Sequence, residues 1–158
     1  MKVRKLLVLF LAIGLMFANC FPLAVYAEET TTVTTSDGGD VNSTGLIESY
    51  SLSLSGSIRS IYITATTIGT ETMAKIGFTN ISVQHSYNGT SGWSTEYSLD
   101  DDTVTNTDAH YKNSEYHSVM GGYYYRVKLD HYAKEKGWFF PDSQSITNYS
   151  NAVWIPAG

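Results

Sequence analysis

Residues 121–137 read GGYYYRVKLDHYAKEKG, and after the two glycines apolar and polar positions alternate for about ten residues. Tyr123, Tyr125, Val127, Leu129 and His131 fall on one side, with Tyr124, Arg126, Lys128, Asp130 and Tyr132 on the other. A period of two sends successive side chains to opposite faces of an extended backbone. The segment is therefore a strand with one dry and one wet face, and nothing else in the chain is as clearly periodic. Such a strand needs neighbours along its edges and a second layer over its apolar face.

Weaker versions of the pattern surround it. Residues 48–55 set Tyr50, Leu52 and Leu54 against serines, and residues 57–67 set Ile61, Ile63 and Ala65 against Tyr62, Thr64 and Thr66, with Gly56 as a turn between them. Residues 80–86 point Ile81, Val83 and His85 inward, and the following Tyr87-Asn88-Gly89-Thr90 reads as a turn. Residues 93–99 form a polar, edge-ward strand, residues 100–110 a loop. A further strand over 111–120 has an ambiguous inward face, Tyr116, Ser118 and Met120 competing with Glu115, His117 and Val119. Residues 145–155 read as a last strand with Tyr149, Val153 and Ile155 on one side. One stretch breaks the pattern: Thr70 as an N-cap, Glu71 in the first turn, Met73, Ala74 and Ile76, then Gly77 predict a short helix near residues 70–77. The fold class is all-β, a single antiparallel β-sandwich of about seven strands with that one helix.

The domain is expected to occupy residues 46–158. Before it, Lys2, Arg4 and Lys5 precede an apolar run that ends at Pro22 and Val25-Tyr26-Ala27, the layout of a secretory signal peptide over residues 1–27. Two other readings of the leader are a retained membrane anchor, for which the apolar run is slightly short, and a lipid-bearing Cys20, for which Phe17-Ala18-Asn19 is a poor approach. Residues 28–45 are rich in Thr and Ser with few large apolar groups, and read as a disordered tether. Cys20 is the only cysteine, so cleavage after Ala27 leaves no thiol for disulfides, metal sites or nucleophilic catalysis. The formal charge of −5 becomes more negative once the basic leader is lost. Such a field repels phosphate backbones, which argues against nucleic acid as a partner.

Gly121-Gly122-Tyr123-Tyr124-Tyr125-Arg126-Val127, followed by Tyr149-Ser150-Asn151-Ala152-Val153, resembles the last two strands of immunoglobulin-like and fibronectin type III domains. The resemblance implies a tyrosine at the start of the penultimate strand bonded back to the preceding corner, and Tyr123 matches that place. The core tryptophan and the inter-sheet disulfide of those families are missing. The chain is also similar to an uncharacterised family of small secreted proteins of Gram-positive bacteria. That similarity is carried by Ile76-Gly77-Phe78 with Asn80-Ile81, the hairpin over 86–93, residues 121–136 with their HYAKEKGW continuation, and residues 150–155. It implies export and a Ser/Thr/Tyr-rich β domain, and no activity.

No segment carries a catalytic constellation. His85, His110, His117 and His131 lack the spacing of a metal site. Asp100, Asp101, Asp102 and Asp108 lack the alternation and glycine of a calcium loop, so a solvated acidic loop is the simpler reading. No Gly-x-Ser-x-Gly elbow positions a serine. Catalytic residues, metal and cofactor are therefore none, and the protein is read as not an enzyme. The feature that stands out is Trp138-Phe139-Phe140 in the connection before the last strand, with Tyr132, Lys134 and Lys136 leading to it. Three large rings together approach the biggest apolar patch a soluble monomer tolerates. These residues, with Tyr132, are the expected binding site of a secreted, extracellular, non-catalytic binding or adhesion module for a carbohydrate or protein partner. The alternative is a small secreted effector that inserts the same aromatic loop into a membrane interface.

Overall fold

The computed structural model describes residues 45–158 together with the backbone of residues 36–40. The expected leader and most of the expected tether lie outside the described residues. Ten strands follow in order: β1 (Ser36–Asp40), β2 (Ile47–Ser57), β3 (Ser60–Met73), β4 (Lys75–Ser86), β5 (Ser94–Ser98), β6 (Asp102–Val104), β7 (Thr107–Ser118), β8 (Tyr123–Lys134), β9 (Ser143–Tyr149) and β10 (Val153–Ile155). All pairings are antiparallel. One sheet runs β1-β2-β3-β7; the other runs β10-β8-β4-β5, with β9 beside β10 on the edge of β8 and β6 beside β5 on the edge of β4.

The alternation of β8 is realised as read. Tyr125, Val127, Leu129, His131 and Ala133 are buried, and β8 is bonded to β4 on one side and to β9 and β10 on the other. Leu52, Leu54, Ile61, Ile63 and Ala65 of the first sheet meet Phe78, Ile81, Val83, Val127 and Leu129 of the second in one cluster. Each of these side chains but Ala65 gains about 1.5–3 kcal/mol by leaving water, which is why the two apolar faces close on each other. A smaller cluster of Ile47, Met73, Ile76 and Ala133 seals the end from which β8 runs out into the aromatic loop.

Four expectations are corrected. The described residues contain no helix: the segment near 70–77 completes β3 and begins β4, with the chain reversing at Ala74. The spacing of Met73 and Ile76 imitates a helical face because the reversal between them returns both to the same core. Thr70 bonds Leu46 O rather than capping a helix, and Gly77 closes nothing. It has φ 149°, and a Cβ there would sit 2.3 Å from the Asp102 carbonyl oxygen, so β6 can pair with β4 only where the side chain is missing. Gly56 is not the turn of the first hairpin. Ser57 pairs with Ser60, and Arg59 turns the chain at φ 56°. The acidic stretch of 100–110, read as a loop, contains β6 and the start of β7. The last strand is two strands broken at residues 150–152, so Tyr149 faces outward instead of joining Val153 and Ile155 in the core.

The tyrosine bonded to the preceding corner is Tyr125, not Tyr123. Its hydroxyl donates to Met120 O at 2.9 Å, and burial, then the nearby charge of Glu96, pushes the phenol up to about 12. Tyr123 instead packs against the rings of Tyr87 and His85. Tyr125→Phe is expected to lower unfolding free energy by about 1 kcal/mol, while Tyr123→Phe leaves it nearly unchanged; urea denaturation of the two variants checks this.

His131 is fully buried between the Tyr50 and Phe78 rings, with Nδ1 2.8 Å from Thr67 Oγ1 and Nε2 without a hydrogen-bond partner. Thr67 can pass its own proton to Gly77 O, 3.3 Å away, which makes Nδ1–H the donor and leaves Nε2 a bare acceptor. Burial holds this imidazole neutral down to about 4, against an ordinary value of 6.5. The unfolded chain therefore takes up the proton first, and stability falls as pH drops from 6.5 to 4. The expected loss approaches about 3 kcal/mol. His131→Leu should flatten that part of the curve, as read by denaturant midpoints between pH 7 and pH 4.

Candidate functional site

The β8–β9 connection is tied at its base and open at its tip. Lys134 pairs with Ser143, Glu135 N donates to Asp142 O at 3.1 Å, and Asp142 N donates to the Glu135 carboxylate at 3.0 Å. A Cβ at Gly137 would sit 3.1 Å from Pro141 Cβ, a tight approach that glycine relieves, and Phe140 turns the chain at φ 51°. Beyond this closed base Trp138, Phe139 and Phe140 are 93%, 82% and 95% exposed. None of them caps the core. Tyr132 lies elsewhere: it is half-buried on the outer face of β8, in register with Gly77 and Ser145, with Lys75 Nζ 5.9 Å above its ring. The structure thus brings together three of the four expected binding residues and leaves Tyr132 on the sheet.

The outer face of the second sheet holds a row that the sequence reading passed over. The Arg126 guanidinium lies 4.3 Å from the Trp93 ring and 4.6 Å from the Tyr149 ring, and its Nε donates to Gln84 Oε1 at 2.8 Å. Lys128, two positions along the same face, has Nζ 6.0 Å from Tyr149. The Tyr124 and Trp154 rings pack beside the row, tilted to each other with centroids 5.0 Å apart. Two rings within cation–π distance and one hydrogen bond restrain the guanidinium. The signal was present in the wet face of β8, but the rings that complete the row come from β9 and from the residue before β5, far away in sequence.

The free edges of the two sheets meet along a charged seam. β7 bulges at Ser114 (φ 46°), so Lys112 lies opposite Ala65 and Glu115 opposite Ile63, and both point inward. Lys112 is only 7% exposed; it pairs with Glu115 and, at 3.0 Å, with Asp102, whose other oxygen lies 2.7 Å from His110 Nε2. His117 Nε2 approaches Glu115 at 3.0 Å, off the hydrogen-bonding direction. Burial alone would raise the Asp102 carboxyl, but the hydrogen bonds from Lys112 and His110 outweigh it and hold it below 3.8. Burial alone would lower the Lys112 ammonium, but its donation to Glu115 and Asp102 keeps it above its ordinary value.

The remaining candidates stay apart. His85 lies by Glu96 at 2.7 Å, with its partner strand residue Tyr125 early in β8, while His131 is late in β8. Asp101 accepts from Asn80 N, and Asp102 is committed to the seam. Among the described residues no group of three or more His, Cys, Asp or Glu side chains converges as a metal would require. No protein-family model matches the sequence, and no curated protein and no solved structure matches it significantly.

Removing the cation at the centre of the seam leaves two inward carboxylates facing each other. Lys112→Met is expected to cost about 1–3 kcal/mol at pH 7, the carboxylates being open enough to regain some water. In the parent protein the contribution of Asp102 is present above 3.8 and is lost as pH falls through its depressed folded value. The variant should show a smaller acid limb, the part that His110 still supports through its 2.7 Å contact with Asp102, which denaturant titrations from pH 5 to pH 2 will read.

Proposed function

We propose that this chain is a secreted, non-catalytic binding or adhesion module that presents Trp138, Phe139 and Phe140 to an extracellular carbohydrate or protein. The observation that carries the reading is the near-complete exposure of three consecutive large rings above a hydrogen-bonded base. Apolar surface of this kind tends to be covered by a partner, and aromatic side chains dominate binding energies when it is. The finer fold assignment rests on strand order. Setting aside β1 and β6, and counting β9 and β10 as one strand, the first, second and fifth strands form one sheet and the third, fourth, sixth and seventh the other. That order resembles a fibronectin type III sandwich, and the bond from Tyr125 to Met120 O resembles the corner of that fold. Export and membership of the family of small secreted Gram-positive proteins are part of the same proposal and rest on the leader and on residues 121–136.

The alternative, insertion of the loop into a membrane, draws on Lys134 and Lys136 standing immediately before the rings. One comparison separates them. The purified mature chain is applied to a glycan and protein array and to neutral and anionic liposomes, alongside a variant with Trp138, Phe139 and Phe140 all changed to Ser. The melting temperature of the variant should stay unchanged, because the rings cover no core. Array binding should fall by on the order of 2 kcal/mol or more. Flotation with liposomes and no array signal would move the assignment to the membrane, and equal binding by the variant would end it.

A further inference from the structure

A cation that is partly withdrawn from water normally keeps a carboxylate beside it. Arg126 does not. It is half-buried on the outer face of the second sheet, burial holds its guanidinium below the ordinary range, and among the described residues it pairs with no Asp or Glu. Its Nε–H is used by Gln84, and its two amino groups have no hydrogen-bond partner among those residues. Lys128 on the same face also lacks a carboxylate, and the one acidic residue further along, Asp130, is engaged by Asn80 and Thr147. This happens in a chain with fifteen acidic and ten basic residues, where a counter-charge is easily found by chance. Beside the cations, Trp154 and Tyr149 keep 47% and 40% of their surface open.

We infer that Trp93, Gln84, Arg126, Lys128, Tyr149 and Trp154 form a binding site for a polysaccharide that carries oxyanions, carboxylate or phosphate. The two rings and the Gln84 bond restrain the guanidinium and leave its two amino groups as a fork that suits two oxygens of one anion, and Lys128 supplies a second positive charge at the spacing of alternate strand residues. The open ring faces of Trp154 and Tyr149 suit the apolar faces of sugar rings. Charge complementarity selects the partner: this face is basic, the seam and the 100–102 turn are acidic, so an anionic polymer is confined to the row. The site is independent of the aromatic loop, since no residue is shared between them.

The test uses the mature chain with three polymers in low and high salt: polygalacturonate for carboxylate, dextran phosphate for phosphate, and dextran as the neutral control. Binding to one or both anionic polymers, weakened by salt and missing with dextran, is expected. Arg126→Gln should weaken it about tenfold or more, and Arg126→Lys should not restore it, because a point charge lacks the fork. Lys128→Gln, which disturbs no stacked pair but its own distant one, should weaken binding several-fold at unchanged melting temperature, so a folding defect in the Arg126 variants cannot decide the matter. The triple-Ser loop variant should bind the anionic polymers as the parent does. No binding to either anionic polymer, equal binding to dextran, full binding by Lys128→Gln and Arg126→Gln, or complete competition by free inorganic phosphate or monomeric galacturonate would overturn the proposal, the last reducing the row to a small-ion site.

Discussion

Everything in the described domain is fixed by the double demand on β8. Both of its edges are hydrogen-bonded, to β4 and to the β9/β10 pair, and one of its faces is covered by the first sheet. A strand held in this way cannot slide: a shift of one residue would send Val127 and Leu129 to water and bring Arg126 and Lys128 into the core. The burial of five consecutive inward positions, Tyr125 to Ala133, sets the register of β4, and β4 in turn carries β5 and β6. The outer residues of β8 inherit their positions from the same constraint. The stacked guanidinium and the tied base of the aromatic loop are therefore held by the most constrained strand of the fold.

The seam shows what happens where this constraint ends. β7 is an edge strand, and its inward side carries His110, Lys112, Glu115 and His117 before Val119. An apolar edge would invite pairing with another chain, and inward-pointing charge on an edge strand is a known defence against it. The defence is tolerable only because the charges find one another across the gap: Asp102 comes from the opposite sheet to meet His110 and Lys112. The bulge at Ser114, held by Thr64 Oγ1 accepting from its backbone N–H, changes the parity of the strand so that Lys112 and Glu115 lie on one face. Specific pairing here substitutes for the oily contacts that close the rest of the core.

Alternation made the strands of the core legible. The expected strands over 48–55, 57–67, 80–86 and 123–132 have the inward faces that their spacing implies, because the alternation is unbroken over 50–55, 61–67, 81–85 and 123–132. Legibility failed wherever parity changes. Asn80 at φ 51° separates Phe78 from Ile81 in β4, and the bulge at Ser114 makes 111–120 read equally well both ways. The helix reading of 70–77 arose from a reversal, which local spacing cannot distinguish from a helical turn when Thr and Gly flank it. The exposed rings of residues 138–140 could be singled out because they are adjacent in the chain. The Trp93, Arg126 and Tyr149 row could not, because it is assembled across four ranks of one sheet.

The two surfaces differ in what holds them, and this bears on how they would act together. The rings at the tip stand above one backbone–backbone hydrogen bond and one from Asp142 N to the Glu135 carboxylate, and their near-complete exposure leaves them free of the core. The guanidinium row has no such freedom, since Gln84, Trp93 and Tyr149 each fix one side of it. A rigid polar site loses little entropy on binding and discriminates by geometry, whereas an adaptable apolar tip adds area with little geometric demand. Both are mounted on β8, one along its outer face and the other just beyond its end. Two separate ligands, one at the row and one at the tip, would thus be held within the short span of one strand of each other, each by its own kind of contact.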